Sequence, residues 1–145
     1  MIKYPTMKIR ICLILCLFAC KALQAQDIDI SGTWSMFEMT WSSGQDINTT
    51  TEDQLKDQGQ MSEYFLMPDG TFKLSSNMTG SGKMENLEGT WKLDGDKLTF
   101  SFKMGENVRD ITWDFDYKDD VFNLKRTFPD GSTSVVNCFK RKVSE

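Results

Sequence analysis

Hydrophobic and polar residues alternate along most of the chain beyond residue 30, and clusters of turn-forming residues separate the alternating segments. In Lys97–Met104, every second residue is hydrophobic and the residues between are polar. A period of two is typical of a β-strand with one dry face and one wet face. In the first segment the alternation slips between Met36 and Phe37, which predicts a bend or a β-bulge. The pattern predicts eight strands, over Ile30–Trp41, Met61–Met67, Thr71–Ser76, Leu87–Leu93, Lys97–Met104, Val108–Tyr117, Val121–Phe128 and Ser134–Lys140.

The connections between the predicted strands are short, with one exception. The Pro-Asp-Gly turn of Met67–Phe72 is repeated in Phe128–Ser132, and Asp94–Asp96 forms another tight turn. Short hairpins favour the pairing of each strand with its predecessor, and eight such strands can bury their dry faces by closing into a barrel. A Greek-key sandwich needs long crossovers, whereas only Ser42–Gln60 is long, with a short helical turn predicted at Thr51–Lys56. We therefore predict an all-β, eight-stranded antiparallel up-and-down barrel.

The first 25 residues are predicted to be a signal peptide. Basic residues precede the apolar run Ile11–Ala19, which is too short to span a bilayer. Two processing routes remain open: cleavage after Ala25 by signal peptidase, and lipidation of Cys20, because Leu17–Cys20 resembles a bacterial lipobox. Residues 26–145 then form one domain, secreted or periplasmic in the first case and lipid-anchored to the bacterial envelope in the second.

The charge of that domain excludes one class of partner. Four of the 17 basic residues precede residue 26 and all 21 acidic residues follow it, so the mature net charge is 13 − 21 = −8. This charge repels phosphate backbones, and we expect no nucleic-acid partner. We expect contact with a membrane only through a lipid on Cys20, and we expect a monomer.

The residues usually needed for catalysis are scarce. The chain contains no histidine, which removes the base of Ser-His-Asp and Cys-His nucleophile systems and the usual ligand of zinc and copper. Cys138 is expected to be a half-buried strand residue without a partner for a disulfide. Asp114 and Asp116 share one face of a strand, and paired like charges are more typical of a solvated outer face than of a general acid and base. We predict no enzyme, no cofactor and no metal site.

Several motifs resemble those of lipocalins. Gly32-Thr33-Trp34 resembles the Gly-x-Trp of their first strand, the long connection Ser42–Gln60 follows it as their long loop does, and Asp116-Tyr117 stands at the corresponding later turn. Arg141 matches the arginine that packs over the opening tryptophan. The resemblance to the compact lipocalin-like domains of bacterial envelope proteins covers Ile30–Lys142. It implies a barrel whose interior holds either packed side chains or one small ligand.

The predicted function is accordingly that of a secreted or lipid-anchored lipocalin-like module that binds a small apolar or amphipathic ligand inside the barrel. The alternative is a protein-interaction or inhibitor domain of the cell envelope, with a filled barrel and no ligand. Residues expected to line the interior and to contact such a ligand are Trp34, Met36, Glu38, Phe72, Trp91, Phe100, Phe102, Trp113, Phe115, Phe122 and Arg126.

Arg126 is the charged member of this set that most needs an explanation. By alternation it shares the face of Phe122 and Leu124, and a guanidinium on a dry face needs a partner. It is expected either to pair with Glu38, which alternation places beside Met36, or to reach solvent at a barrel rim. The functional alternative is an anchor for a ligand carboxylate or phosphate, both of which suit its planar fork.

Overall fold

The computed structural model describes residues 28–78 and 81–143. The predicted signal peptide, residues 1–25 with the possible lipidation site Cys20, lies outside the described residues and stays a prediction. The chain divides into two compact units, Met1–Ile30 and Ser31–Glu145, and all the strands below belong to the second unit.

Nine strands and one short helix make up the second unit within its described part. In chain order they are β1 (Gly32–Ser43), β2 (Asp46–Thr50), α1 (Glu52–Asp57), β3 (Ser62–Leu66), β4 (Thr71–Ser76), β5 (Glu85–Asp94), β6 (Lys97–Met104), β7 (Asn107–Lys118), β8 (Val121–Thr127) and β9 (Thr133–Arg141).

The strands form a sheet that closes on itself. Each strand from β3 to β9 pairs antiparallel with the next, and β9 returns to pair with β1 from Trp34 to Ser43. β3 pairs with the first four residues of β1, Gly32–Ser35, which completes a barrel of eight strands. The prediction of an all-β, eight-stranded antiparallel barrel is confirmed.

The additional strand β2 makes the two ends of this barrel different. It forms a hairpin with β1 and pairs with its second half, Met39–Ser43, on the edge that β3 uses at Gly32–Ser35. The sequence predicts a long polar connection here, Ser42–Gln60. The short helix within it was predicted, but the strand was not.

The strand pairing defines two ends of the barrel. One end, which we call the Arg141 end, holds Arg141 and the start of β1 at Gly32. The other, the Ser43 end, holds the end of β1 at Ser43 and the start of β9 at Thr133.

The helix α1 is tied to the barrel by ion pairs. Glu52, in its first turn, accepts a hydrogen bond from Nζ of Lys140 on β9 at 2.8 Å and pairs with Lys56 one turn later, also at 2.8 Å. These contacts, above all the bond from Lys140, lower the pKa of Glu52 to about 2. Leu55 on the same helix is buried.

A β-bulge in β1, one of the two alternatives predicted from the sequence, changes which of its residues face inward. Met36 lies opposite Phe139 of β9, but Glu38 lies opposite Cys138, so one extra residue is inserted between them. Phe139 is buried in the interior, and side chains on paired strands alternate together, so Cys138 and Glu38 face outward. The expectation that Glu38 shares the inner face of Trp34 and Met36 is therefore wrong.

Aromatic rings fill much of the interior. The Trp34 and Phe122 rings lie 4.5 Å apart between centroids, and Phe122 and Phe139 lie 5.0 Å apart. Tyr64 continues the series, at 5.2 Å from Phe139 and stacked on Phe100 at 4.8 Å. Contacts between aromatic rings at these distances add to the stability gained from burying their area. The core therefore runs without interruption from the Arg141 end into the middle of the barrel.

Candidate functional site

Beyond this core the barrel contains a cavity of about 210 Å³. Five strands, β3 to β7, contribute to its wall, and no charged side chain does. The lining residues are Tyr64, Phe72, Leu74, Leu87, Phe100, Phe102, Ile111 and Trp113. Leu74, Leu87, Ile111 and Trp113 are only half-buried, so the cavity is open to solvent on their side.

The strand register explains how these side chains converge. Tyr64 lies opposite Leu74, and Leu74 lies opposite Leu87 on the next strand. Phe100 and Ile111 are paired in the same way between β6 and β7. Partners in an antiparallel ladder point to the same face. The inward faces of neighbouring strands therefore form rows of apolar side chains across the wall of the cavity.

Four residues of the predicted ligand-binding set line this cavity, namely Phe72, Phe100, Phe102 and Trp113. Trp34, Phe115 and Phe122 are buried and belong to the core on the side of the Arg141 end. Met36, half-buried, lies opposite Phe139, and Trp91, half-buried, donates a hydrogen bond from Nε1 to the Met67 carbonyl at 3.1 Å.

The Arg141 end is closed by the arginine that the lipocalin resemblance singled out. The Arg141 guanidinium lies 4.4 Å from the ring of Trp34, whose side chain is fully buried. Nη1 donates to the Ser31 carbonyl at 2.7 Å, and Nε donates to Asp120 at 3.1 Å. Tyr117 meets the Trp34 ring edge-on at 6.2 Å. A ligand therefore finds no opening on this side of Trp34.

Arg126 occupies a different position from the one that a buried anchor would need. Its register opposite Val135 places it on the inner face near the Ser43 end, but its side chain is exposed. The guanidinium lies 5.7 Å from the ring of Phe128, which in turn lies 5.4 Å from Trp41. The expected pair with Glu38 is not formed, since Glu38 faces outward. Of the alternatives predicted for Arg126, the structure shows the solvent-exposed position at the rim of the barrel.

Four lining residues were absent from the predicted ligand-binding set, namely Tyr64, Leu74, Leu87 and Ile111. Of these, Tyr64 is the one whose inward direction the alternation of the sequence could not indicate. It lies within Tyr64–Met67, an unbroken apolar run that gives no alternation from which to choose a face. Its register opposite Leu74 turns it inward, and only 9% of it is exposed. Burial raises the pKa of the Tyr64 phenol, which keeps it neutral at ordinary pH.

A second, larger concavity of about 580 Å³ involves β4, β5 and β6. Side chains from the outer face line much of it, including Lys73, Glu88, Thr90 and Lys103. Gly89, which has no side chain, lies among them. This outer groove also takes in Met67, Phe72, Phe102 and Val108, so it combines apolar surface with charged side chains, whereas no charged side chain lines the interior cavity.

A solved structure shares this fold. It is the crystal structure of an uncharacterised protein from Bacteroides eggerthii, with a TM-score of 0.50 and 16% sequence identity. The match covers 79% of this chain and 100% of that chain. At this identity the likeness shows the fold alone. No protein-family model and no curated protein matches the chain.

The described residues present little metal or thiol chemistry. Across 28–78 and 81–143, no group of three or more histidine, cysteine, aspartate or glutamate side chains is arranged to hold a metal ion. In the same residues, no helix has the length and apolar character to cross a membrane. Burial and the neighbouring Glu38 carboxylate raise the pKa of the Cys138 thiol, which makes the reactive thiolate scarce.

Proposed function

We propose that this barrel binds one small apolar molecule in its interior cavity. The observation that carries the proposal is the wall of eight uncharged, mostly apolar side chains around about 210 Å³. Binding sites for small molecules are concave and lined mainly by hydrophobic and aromatic groups. A partly open cavity of this kind releases poorly hydrated water when an apolar molecule enters.

The size of the cavity sets the size of the ligand. Drug-sized ligands occupy pockets of roughly 300–1,000 Å³, whereas a dry cavity of about 150 Å³ is enough to bind benzene. At about 210 Å³ the cavity suits a single ring with one or two substituents. It is too small for a long-chain lipid. Affinity for so few atoms is modest, with a dissociation constant on the order of 1 mM or somewhat below.

The proposed cellular location and the proposed lipocalin-like relationship both rest on the sequence. The charged and apolar leader supports a secreted or lipid-anchored protein of a bacterial envelope, and the Gly-x-Trp opening supports a lipocalin-like relationship. The arginine packed over that tryptophan adds to the second point. The lack of histidine in the whole chain favours a binding role over catalysis.

Titration with toluene, followed by NMR or calorimetry, tests the proposal. Ile111→Phe puts a larger side chain into the cavity wall, and we expect it to weaken toluene binding at least ten-fold. Thr112→Phe is the matched control, because Thr112 is an exposed β-branched residue on the opposite face of the same strand, β7, and lines neither the cavity nor the outer groove. It should bind toluene as the wild type does. Absence of saturable binding to the wild type, or undiminished binding to folded Ile111→Phe, contradicts the proposal.

The outer groove favours a second candidate function, that of a protein-interaction domain in the cell envelope. Lys73 and Glu88 form an ion pair at 3.1 Å within it, and Lys103 adds a further charge. Native mass spectrometry of the protein purified from its source separates the two functions. A co-purifying small molecule supports ligand binding, whereas a stoichiometric protein partner that is lost in Lys103→Glu supports the interaction.

A further inference from the structure

The Tyr64 hydroxyl is the polar group that stands out in the wall of the interior cavity. The tyrosine ring is held on three sides, by Phe100 at 4.8 Å, Phe139 at 5.2 Å and Phe72 at 6.2 Å. A ring fixed in this way cannot turn its hydroxyl to a different environment without disturbing the core. The hydroxyl therefore has a fixed position at the end of a ring that lines the cavity.

This hydroxyl has no hydrogen-bond partner among the residues that the structure describes. Tyrosine hydroxyls usually find a partner when they are buried, because an unpaired polar group away from water is costly. The other phenol of the barrel, on the half-buried Tyr117, does have a partner, since its hydroxyl donates to Asp120 at 3.1 Å. Among the described residues, the side-chain oxygen that is sealed from water without a partner is Asn137 Oδ1, so the unpaired Tyr64 hydroxyl keeps access to water and to a molecule in the cavity.

We propose that the hydroxyl of Tyr64 forms a hydrogen bond with the ligand, and that the ligands of this cavity are single-ring molecules that carry one hydroxyl or carbonyl group. The inference rests on the proposed function and narrows its ligand class. An apolar ring fills the space between Leu74, Leu87 and Ile111, and its one polar substituent meets Tyr64. The neutral phenol can donate to a carbonyl and can either donate to or accept from a hydroxyl.

Phenol and toluene are the probes that isolate this hydrogen bond, because they have nearly the same shape and differ by a hydroxyl in place of a methyl group. Phenol loses its bonds to water on entering the cavity and regains one from Tyr64. In Tyr64→Phe the same hydroxyl is left unpaired. Leaving a buried polar group unpaired lowers affinity by about five-fold or more. The quantity to measure is therefore the ratio of phenol affinity to toluene affinity.

We expect Tyr64→Phe to lower this ratio by about five-fold or more while toluene binding is retained. Tyr117→Phe is the matched control, because it removes a phenolic hydroxyl from the same barrel at a residue that does not line the cavity. Its ratio should stay within about two-fold of the wild-type value, since no cavity hydrogen bond is removed.

The outcomes distinguish the two proposals. If Tyr64→Phe binds toluene and its ratio of phenol affinity to toluene affinity is unchanged, the role of Tyr64 is overturned but the proposed function stands. Binding of neither probe to the wild type overturns both. If Tyr64→Phe does not fold, wild-type protein with ¹³C-labelled tyrosine decides. The Cζ resonance of Tyr64 should shift with phenol and not with toluene, and equal shifts with both contradict the proposal.

Discussion

Replacing Arg141 by alanine tests whether the Arg141 end is closed by this side chain. The substitution removes three interactions at once: the contact with the Trp34 ring at 4.4 Å, the hydrogen bond to the Ser31 carbonyl at 2.7 Å and the ion pair with Asp120 at 3.1 Å. The side chain of Arg141 is 29% exposed and that of Asp120 is 67% exposed. The three interactions should therefore differ in strength.

The contact with Trp34 is worth about 1 kcal/mol at this degree of exposure. The hydrogen bond from a charged donor to a carbonyl contributes about 1.5 kcal/mol. The ion pair with the exposed Asp120 adds about 0.5 kcal/mol, because solvent screens it. We expect Arg141→Ala to reduce the free energy of unfolding by about 3 kcal/mol, a large part of the stability of a small domain.

Urea unfolding, followed by circular dichroism, measures this loss. With a slope of about 2 kcal/mol per molar urea, the midpoint of unfolding should fall by about 1.5 M at an unchanged slope. Asp120→Asn serves as a control that removes the ion-pair charge, and it should cost less than about 1 kcal/mol. The reasoning is refuted if Arg141→Ala shifts the midpoint by less than about 0.3 M, or if Asp120→Asn costs as much.

Two further substitutions probe the acid stability and the backbone packing of the barrel. The folded pKa of Glu52 lies at about 2, below its ordinary value of 4.5, so its bond to Lys140 stabilises the protein above pH 4.5 and is lost as the pH falls toward 2. Urea midpoints of Glu52→Gln should therefore lack this part of the acid destabilisation, and a pH profile like that of the wild type contradicts the assignment. In Gly89→Ala, the new methyl group would overlap the Ser101 carbonyl oxygen, and thermal unfolding should show a loss of about 3 kcal/mol. Gly95→Ala meets no atom within 4 Å and should lose only about 1 kcal/mol for its positive φ; equal losses in the two variants would argue against the close approach.

The barrel could be predicted from sequence because the strands near its middle are amphipathic. In β6, and in β7 from Ile111 to Tyr117, each inner residue is hydrophobic and each outer residue is polar, so the pattern gives both the strand and its inward face. Four of the cavity residues followed from this pattern. The contact between Arg141 and Trp34 at the closed end could also be predicted, because the two residues match a motif, and the structure brings them together.

Three features could not be predicted, each for a physical reason. β2, Asp46–Thr50, is exposed on nearly every residue, so it has no hydrophobic period and is held only by pairing with β1. Tyr64 lies in a continuous apolar run, in which register and not alternation decides the face. The direction of Glu38 depends on where the bulge inserts its extra residue, and the slip in the pattern marked the bulge but not its effect beyond it.

The bulge in β1 also determines where this strand can change in length. Inner positions fall on even numbers before it, as at Trp34, and on odd numbers after it, as at Met39 and Trp41, because Phe37 has no partner on β9. A related chain without a residue at position 37 would present the same side chains to the interior. Loss of one residue between Met39 and Trp41 would instead turn the remainder of the strand inside out. In an alignment of homologous barrels, a one-residue gap is therefore structurally neutral at Phe37 and disruptive a few positions later.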